Sequence, residues 1–330
     1  MKSPSELLES IWYTRHPAAL ALAPLGWLYR GVIAARRAAY SSGLLSSYAT
    51  DVPVIVVGNI TAGGTGKTPL VIWLVHYLRS LGYTPGVVSR GYRGAAKTWP
   101  QQVRADSDPA VVGDEAIVIA RRARCPVAVG PRRGDAVDAL LQHADCDVVI
   151  SDDGLQHYAL ERHFEIVVID GVRRFGNGRC LPAGPLREPL SRLEHVDMIV
   201  TNGIAGRGEF SMKFDATHVH PVGGGQAIPI AEFAPRDVHA VAGIGNPDRF
   251  FSMLRAKGLR VRQHRFRDHA RFRRADFEFE DDLPVIMTEK DAVKCEHVGA
   301  TGCWYIPVTA RLPEVFSRRL ATVFSGANDG

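Results

Sequence analysis

At 330 residues the chain has length for about two domains and a substantial core. With 46% hydrophobic and 23% charged residues it is an ordinary folded protein, not a disordered or low-complexity chain. A net charge of +5 and a pI near 9.0 favour an anionic partner, and nucleotide, nucleic acid and an anionic membrane surface all stay open. The five scattered cysteines contain no C-x-x-C pair, which argues against a zinc site or a disulfide framework and fits a reducing compartment.

Residues 1–50 form a first segment. Ile11-Trp-Tyr and the stretch Pro17 to Ala35 are apolar and aromatic and end at Arg36-Arg37. Pro24 and Arg30 interrupt the run, so it falls short of the roughly 20 uncharged apolar residues of a spanning helix. No convincing cleavage site marks it as a signal peptide. Trp12, Tyr13, Trp27 and Tyr29, with Arg30, Arg36 and Arg37, suit a helix on a membrane surface, while an ordinary docking helix fits equally well.

From 51 to 205 apolar runs alternate with helical patterns. Strands are predicted at Val52–Val57, Gly86–Ser89, Val127–Val129, Val148–Ser151, Ile166–Ile169 and Met198–Thr201. Helices are predicted at Pro69–Leu81, Asp114–Ala123 and Arg133–His143, with a short one near Pro189–Glu194. This alternation predicts an α/β fold, a mostly parallel sheet with helices on both faces and ligands at the carboxyl ends of the strands. Residues 206–330 read as a smaller α/β domain. It has strands at Val238–Gly243, Val261–Phe266, Val285–Thr288 and Trp304–Val308, a helix from Arg249 to Lys257, and a last helix from Pro313 to Phe324.

The strongest chemical signal follows the first strand: Thr61-Ala62-Gly63-Gly64-Thr65-Gly66-Lys67-Thr68, then Pro69 opening a helix. Small residues let consecutive amides face a phosphate chain, and the helix start adds partial positive charge. Lys67 would reach the β- and γ-phosphates and the Thr68 hydroxyl would bind Mg²⁺, as in P-loop NTPases. Thr61 stands where the general pattern has glycine. The strand Val148-Val-Ile-Ser ends in Asp152-Asp153, where such enzymes hold Mg²⁺; a carboxylate capping the next turn is the plainer alternative. Gln156 and His157 follow at once, and His157 suits acid–base work, phosphate binding or a helix cap. Asp114 and Glu115 open a helix. By spacing alone they read as first-turn acids, and a base taking a hydroxyl proton is the second reading.

Arg90, Arg93, Arg132, Arg133 and Arg187 lie in loops after strands, where they can neutralise phosphate. The basic run Arg260 to Arg274 invites nucleic-acid binding but suits a solvated face better. Thr288-Glu-Lys-Asp291 lacks the Asn-Lys-x-Asp order of a guanine-reading loop.

Taken together, these residues resemble the tetraacyldisaccharide 4′-kinase family of lipid A biosynthesis. The likeness rests on Val57-Gly-Asn-Ile-Thr-Ala-Gly-Gly-Thr-Gly-Lys-Thr-Pro69, Ser89-Arg-Gly-Tyr92, Val112-Gly-Asp-Glu115, Ser151-Asp-Asp-Gly-Leu-Gln-His157, Leu181-Pro-Ala-Gly-Pro-Leu-Arg-Glu-Pro-Leu190, Asp268-His269 and Thr288-Glu-Lys-Asp291, in the family's order along nearly the whole chain. Thr61 fits the family's own pattern, whereas Ala270 stands where an aromatic residue often follows the His. The resemblance implies ATP- and Mg²⁺-dependent phosphorylation of the 4′-hydroxyl of a lipid A disaccharide precursor. It implies a P-loop core, a second domain linked by a β-ribbon, and an N-terminal helix meeting the cytoplasmic face of the inner membrane of a Gram-negative bacterium. By matching position, Asp114 is the base with help from His269. Residues 61–68, Arg133, Gln156, His157 and Arg187 contact nucleotide or substrate, and Thr68, Asp152, Asp153 and Glu188 serve the metal. Neither a nucleic acid nor an obligate protein partner is implied.

Overall fold

The computed structural model describes residues 4–233, 236–268, 270–298 and 302–325. The N-terminal segment, expected as one helix, is broken into α1 (Pro4–Tyr13), α2 (Ala18–Ala21) and α3 (Ala23–Ser41). Prolines set the breaks: Pro17 precedes α2, and Pro24 sits in the first turn of α3, where its missing N–H costs nothing.

The first α/β unit runs β1 (Val54–Gly58), α4 (Lys67–Ser80), β2 (Pro85–Ser89), β3 (Gln101–Gln102), α5 (Pro109–Val112), α6 (Asp114–Ala123), β4 (Val127–Val129), α7 (Arg133–His143), β5 (Val148–Asp152), β6 (Phe164–Asp170), β7 (Met198–Asn202) and β8 (Phe210–Asp215). The expected helix near Pro189 is a 3₁₀ turn, Leu190–His195. β1 lies between β5 and β6 and pairs in parallel with both. Continuous apolar runs form these strands because helices cover both faces. Ile55 and Val57 face Leu70 and Leu74 of α4 and Ile117 of α6, while Val54 and Val56 pack with Val137 and Leu140 of α7. The alternation of strand side chains thus separates two cores across one sheet.

The second unit comprises β9 (His218–Pro221), β10 (Ile228–Pro229), α8 (Ile230–Phe233), β11 (Asp237–Ala242), α9 (Pro247–Ala256), β12 (Arg260–Arg265), β13 (Val285–Thr288), α10 (Glu289–Cys295) and β14 (Cys303–Ile306). Its sheet has the order β10-β9-β14-β13-β11-β12, parallel from β14 to β12. Phe250, Phe251 and Leu254 of α9 fill one face, and Ala292 and Cys295 of α10 the other.

The chain then returns. β15 (Thr309–Arg311) pairs antiparallel with β8, completing a nine-stranded sheet β15-β8-β7-β6-β1-β5-β2-β4-β3. α11 (Glu314–Ser325) buries Phe316, Leu320 and Phe324 in the core of the first unit. β8, β15 and α11 join the first sheet and its core, where their apolar faces are buried, although they follow residue 205 in the chain.

Candidate active site

The glycine-rich loop leaves the carboxyl end of β1. The buried Asn59 side chain donates to the carbonyls of Thr61 at 2.8 Å and Gly63 at 3.2 Å, folding the loop back over the strand end. Residues 185–187 flank its first half: Ala62 N–H donates to Pro185 O, and Arg187 N–H to Ile60 O, each at 2.7 Å. Thr61 is buried in this pairing, opposite Leu186, so a side chain is accommodated where the general pattern has glycine. Gly66 cannot be replaced in the same way. Its φ is +95°, and a Cβ would fall 2.6 Å from the Phe214 ring and 2.7 Å from Asn202 Nδ2. Lys67 begins α4, and its ammonium lies 3.2 Å from Asp153 Oδ1 and 3.4 Å from Asn59 Oδ1. Thr68 follows in the first helical turn, whose amides have no partner within the helix.

The β1–β5 register sets Val57 opposite Asp152, so the carboxylates arrive beside the root of this loop. Asp152 is 1% exposed and neither of its carboxylate oxygens has a partner. Burial, then the charge of Glu115, pushes its pKa well above the usual carboxylate range. Asp153, in the left-handed region at φ 51°, turns the other way. Burial opposes its ionisation, but Lys67 and Arg187 outweigh that and hold its pKa down, to about 2. Adjacent carboxylates therefore differ: one is ion-paired and the other is buried with open coordination positions.

Gln156 donates to Asn59 O at 2.9 Å and to Glu188 Oε1 at 2.8 Å. Tyr158 donates to the other oxygen of Glu188, and Arg192 Nε lies 3.4 Å from it. Glu188, expected to serve the metal, accepts one hydrogen bond at each oxygen, and these contacts fasten the 185–192 loop to the strand ends. His157 Nε2 accepts the Arg133 N–H at 3.3 Å at the start of α7. Burial and the charges of Arg133 and Arg162 lower its pKa to about 4, so the imidazole is neutral. Arg133 is buried and donates to Gly130 O at 3.0 Å and Asp152 O at 3.4 Å. Arg187 lies 3.5 Å from Asp153.

Asp114 starts α6, is buried, and accepts the Glu115 N–H at 2.9 Å. Two lysines of α10 cross from the second unit to this acidic start. Lys294 lies 3.9 Å from Asp114 and 2.7 Å from Asp291, while Lys290 lies 2.9 Å from Glu115 and 3.3 Å from Asp268. Burial works against the Lys290 charge, but Glu115, Asp114 and Asp268 together raise its pKa. Asp268 is thus brought to the same edge as Asp114; His269 lies outside the described residues.

The model of the family described as tetraacyldisaccharide-1-P 4′-kinase (LpxK) matches residues 18–325. The chain belongs to this family. A tetraacyldisaccharide 4′-kinase of Nitrosococcus oceani is 51% identical over 327 residues, 99% of this chain and 97% of that one. The Pseudomonas aeruginosa enzyme of the same name is 47% identical over 309 residues, 93% of each chain. Among solved structures, LpxK from Aquifex aeolicus, an "apo" form in complex with ATP, superposes with a TM-score of 0.78 at 27% identity, covering 93% of this chain and 99% of that one.

Sequence reasoning missed the lysines that face the acidic start of α6 in this family member. Lys290 and Lys294 are four residues apart, hence on one helical face, and that face was a signal pointing to an acidic partner. The partner itself lies in the other unit. Four arginines of the basic run 260–274 are ion-paired: Arg260 with Asp237, Arg262 with Asp281, Arg265 with Asp248 and Arg274 with Glu278.

Proposed function

We propose that the residues at the ends of β1, β5 and α6 carry out transfer of the ATP γ-phosphate to the 4′-hydroxyl of a tetraacyldisaccharide 1-phosphate. This is the kinase activity of lipid A biosynthesis that family membership gives the chain. The observation that carries the assignment is the set Lys67, Asp153 and unpartnered Asp152 around one glycine-rich loop.

The loop amides and Lys67 hold the nucleotide phosphates, and Arg133 and Arg187 add positive charge beside them. The residues fit Mg²⁺. Asp152 offers two buried oxygens with no other partner, and Thr68 offers its hydroxyl. Among the described residues no group of three or more His, Cys, Asp or Glu forms a cage. That suits an ion held by one or two protein groups together with phosphate. When bound, Mg²⁺ neutralises charge on the phosphates. Lys67 keeps Asp153 ionised beside the site, and Gln156 and Glu188 hold the surrounding loop in place. Asp114 takes the proton of the 4′-hydroxyl as the oxygen–phosphorus bond forms and the bond from γ-phosphorus to the bridging oxygen of ADP breaks; His269 assists. Positioning and charge neutralisation supply most of the rate.

In this reading residues 1–50 meet the cytoplasmic face of the inner membrane, the first unit binds nucleotide, and the smaller unit, joined through the β8–β15 ribbon, brings Asp268 and His269 to the acceptor. The test is incubation with ATP, Mg²⁺ and a tetraacyldisaccharide 1-phosphate in detergent, followed by mass spectrometry. A second phosphate on the distal sugar is expected; no transfer by protein that binds MgATP would overturn the assignment.

A further inference from the structure

The glycine-rich loop is held from behind by two side chains of the first unit that are themselves held by the second. Arg173, in the turn after β6, donates through Nη2 to Gly64 O at 3.3 Å and through Nη1 to Gly245 O at 3.1 Å. The guanidinium is 18% exposed, lies 3.5 Å from Asp170 and sits over the Tyr13 ring at 5.6 Å. Beside it, the buried Asn202 at the end of β7 donates to Thr65 O at 3.0 Å. The Asn202 side-chain oxygen is in turn bound by Arg249 of α9, whose guanidinium stacks 4.8 Å over the Phe214 ring. Asn246, the N-cap of α9, donates to Asp170 Oδ2 at 3.0 Å. The two backbones nearly touch: a Cβ on Gly245 would lie 2.9 Å from Gly64 N.

A trans peptide fixes its N–H opposite its C=O. A grip on the carbonyls of Gly64 and Thr65 therefore sets the direction of the N–H groups of Thr65 and Gly66. On the kinase reading, on which this inference rests, those amides face the nucleotide phosphates.

We propose that Arg173 and Arg249 are positioning residues for phosphoryl transfer. They aim the Thr65 and Gly66 amides and make that aim depend on docking of the 243–249 turn of the second unit. Arg173 needs its fork because two carbonyls in different units are served by two nitrogens of one plane. A lysine offers one point and cannot serve both.

The test compares the parent protein with Arg173→Lys, Arg173→Gln and Arg249→Gln by calorimetric MgATP binding, kinetics and thermal unfolding. Arg174→Gln is the control. It breaks a bidentate pair with Glu209 in the same turn without touching the glycine-rich loop. Arg173→Lys is expected to unfold like the parent yet weaken MgATP binding about tenfold, the worth of one charge-assisted hydrogen bond. KM for ATP rises in step and KM for the lipid stays fixed. Arg249→Gln weakens MgATP binding in the same direction, although α9 belongs to the other unit. Arg174→Gln lowers the unfolding temperature and leaves MgATP binding as it was. Arg173→Lys that binds MgATP like the parent would overturn the proposal, as would Arg173→Gln and Arg249→Gln variants that lose only stability, as the control does. A parent protein that binds MgATP but phosphorylates no lipid would count against the kinase assignment, while the binding comparison still decides this one.

Discussion

Asp114 meets two demands at one carboxylate: it accepts the first-turn N–H of Glu115 and lies 3.9 Å from Lys294. The demands separate on substitution. Asparagine keeps an acceptor oxygen for the helix start but cannot take up a proton. Asp114→Asn is therefore expected to lower kcat by about 10²–10⁴-fold, the usual worth of general base catalysis, while MgATP affinity and unfolding temperature stay at parent values. Unchanged turnover would return Asp114 to a helix-start role. By spacing alone Gly113-Asp114-Glu115 reads first as a helix opening, because Lys290, the partner of Glu115, lies 175 residues further along the chain. The placement of Asp152 beside the loop was easier to read, since an apolar strand ending in carboxylate after a glycine-rich loop is local information. The surroundings of Glu188 were hidden for the opposite reason. Gln156 and Tyr158 donate to it and Arg192 lies 3.4 Å away, and nothing in the spacing of those residues announces that they converge.

At the scale of elements, the last helix decides where the first unit ends. Phe316 of α11 is fully buried and meets Trp73 of α4 edge-on at 5.5 Å and Phe210 of β8 at 5.3 Å. Phe316→Ala is expected to cost about 3–5 kcal/mol by cavity formation. The loss should appear in denaturant unfolding followed by far-UV circular dichroism; an unmoved transition would place α11 elsewhere. Periodicity located this helix closely, but an amphipathic pattern states that one face is buried and not against which sheet. A second element-level joint is acid-sensitive. Glu209, before β8, is clamped by Arg174, the Thr201 hydroxyl and the Gly206 N–H. The Arg174 hydrogen bonds lead in lowering its pKa from 4.5 to about 2. A folded pKa below the unfolded one means the pair stabilises above pH 4.5 and that this contribution is lost as pH falls toward 2. The unfolding temperature of Glu209→Gln should accordingly lie below that of the parent at neutral pH and converge with it on acidification. A gap independent of pH would show that the pair titrates without the clamp.

For the whole molecule, the proposed reaction poses a geometric problem: on that reading the acyl chains stay in the bilayer while the 4′-hydroxyl reaches Asp114. No helix among the described residues is long and apolar enough to cross a membrane. The N-terminal helices offer a surface solution. One side docks through Trp12 Nε1 to Pro182 O at 3.0 Å and Tyr29 OH to Arg187 O at 3.1 Å, which ties this segment to the loop that flanks the active site. The other side carries Leu25, Leu28 and Val32, spaced as one stripe of α3 and 53%, 66% and 57% exposed, with Trp27 beside them at 68%. Such a stripe has no folding benefit in water and suits insertion at a headgroup boundary, with Arg30 and Arg37 close by for anionic lipid. Replacing Leu25, Trp27 and Leu28 together by Ser removes only exposed apolar surface, so MgATP binding and folding are expected to persist. Co-sedimentation with phosphatidylglycerol vesicles should be lost, and KM should rise for lipid presented in vesicles but not for lipid dispersed in detergent. Undiminished sedimentation of the triple variant would assign membrane contact to another face. A rise in KM in detergent as well would make the stripe part of the substrate pocket instead of an anchor.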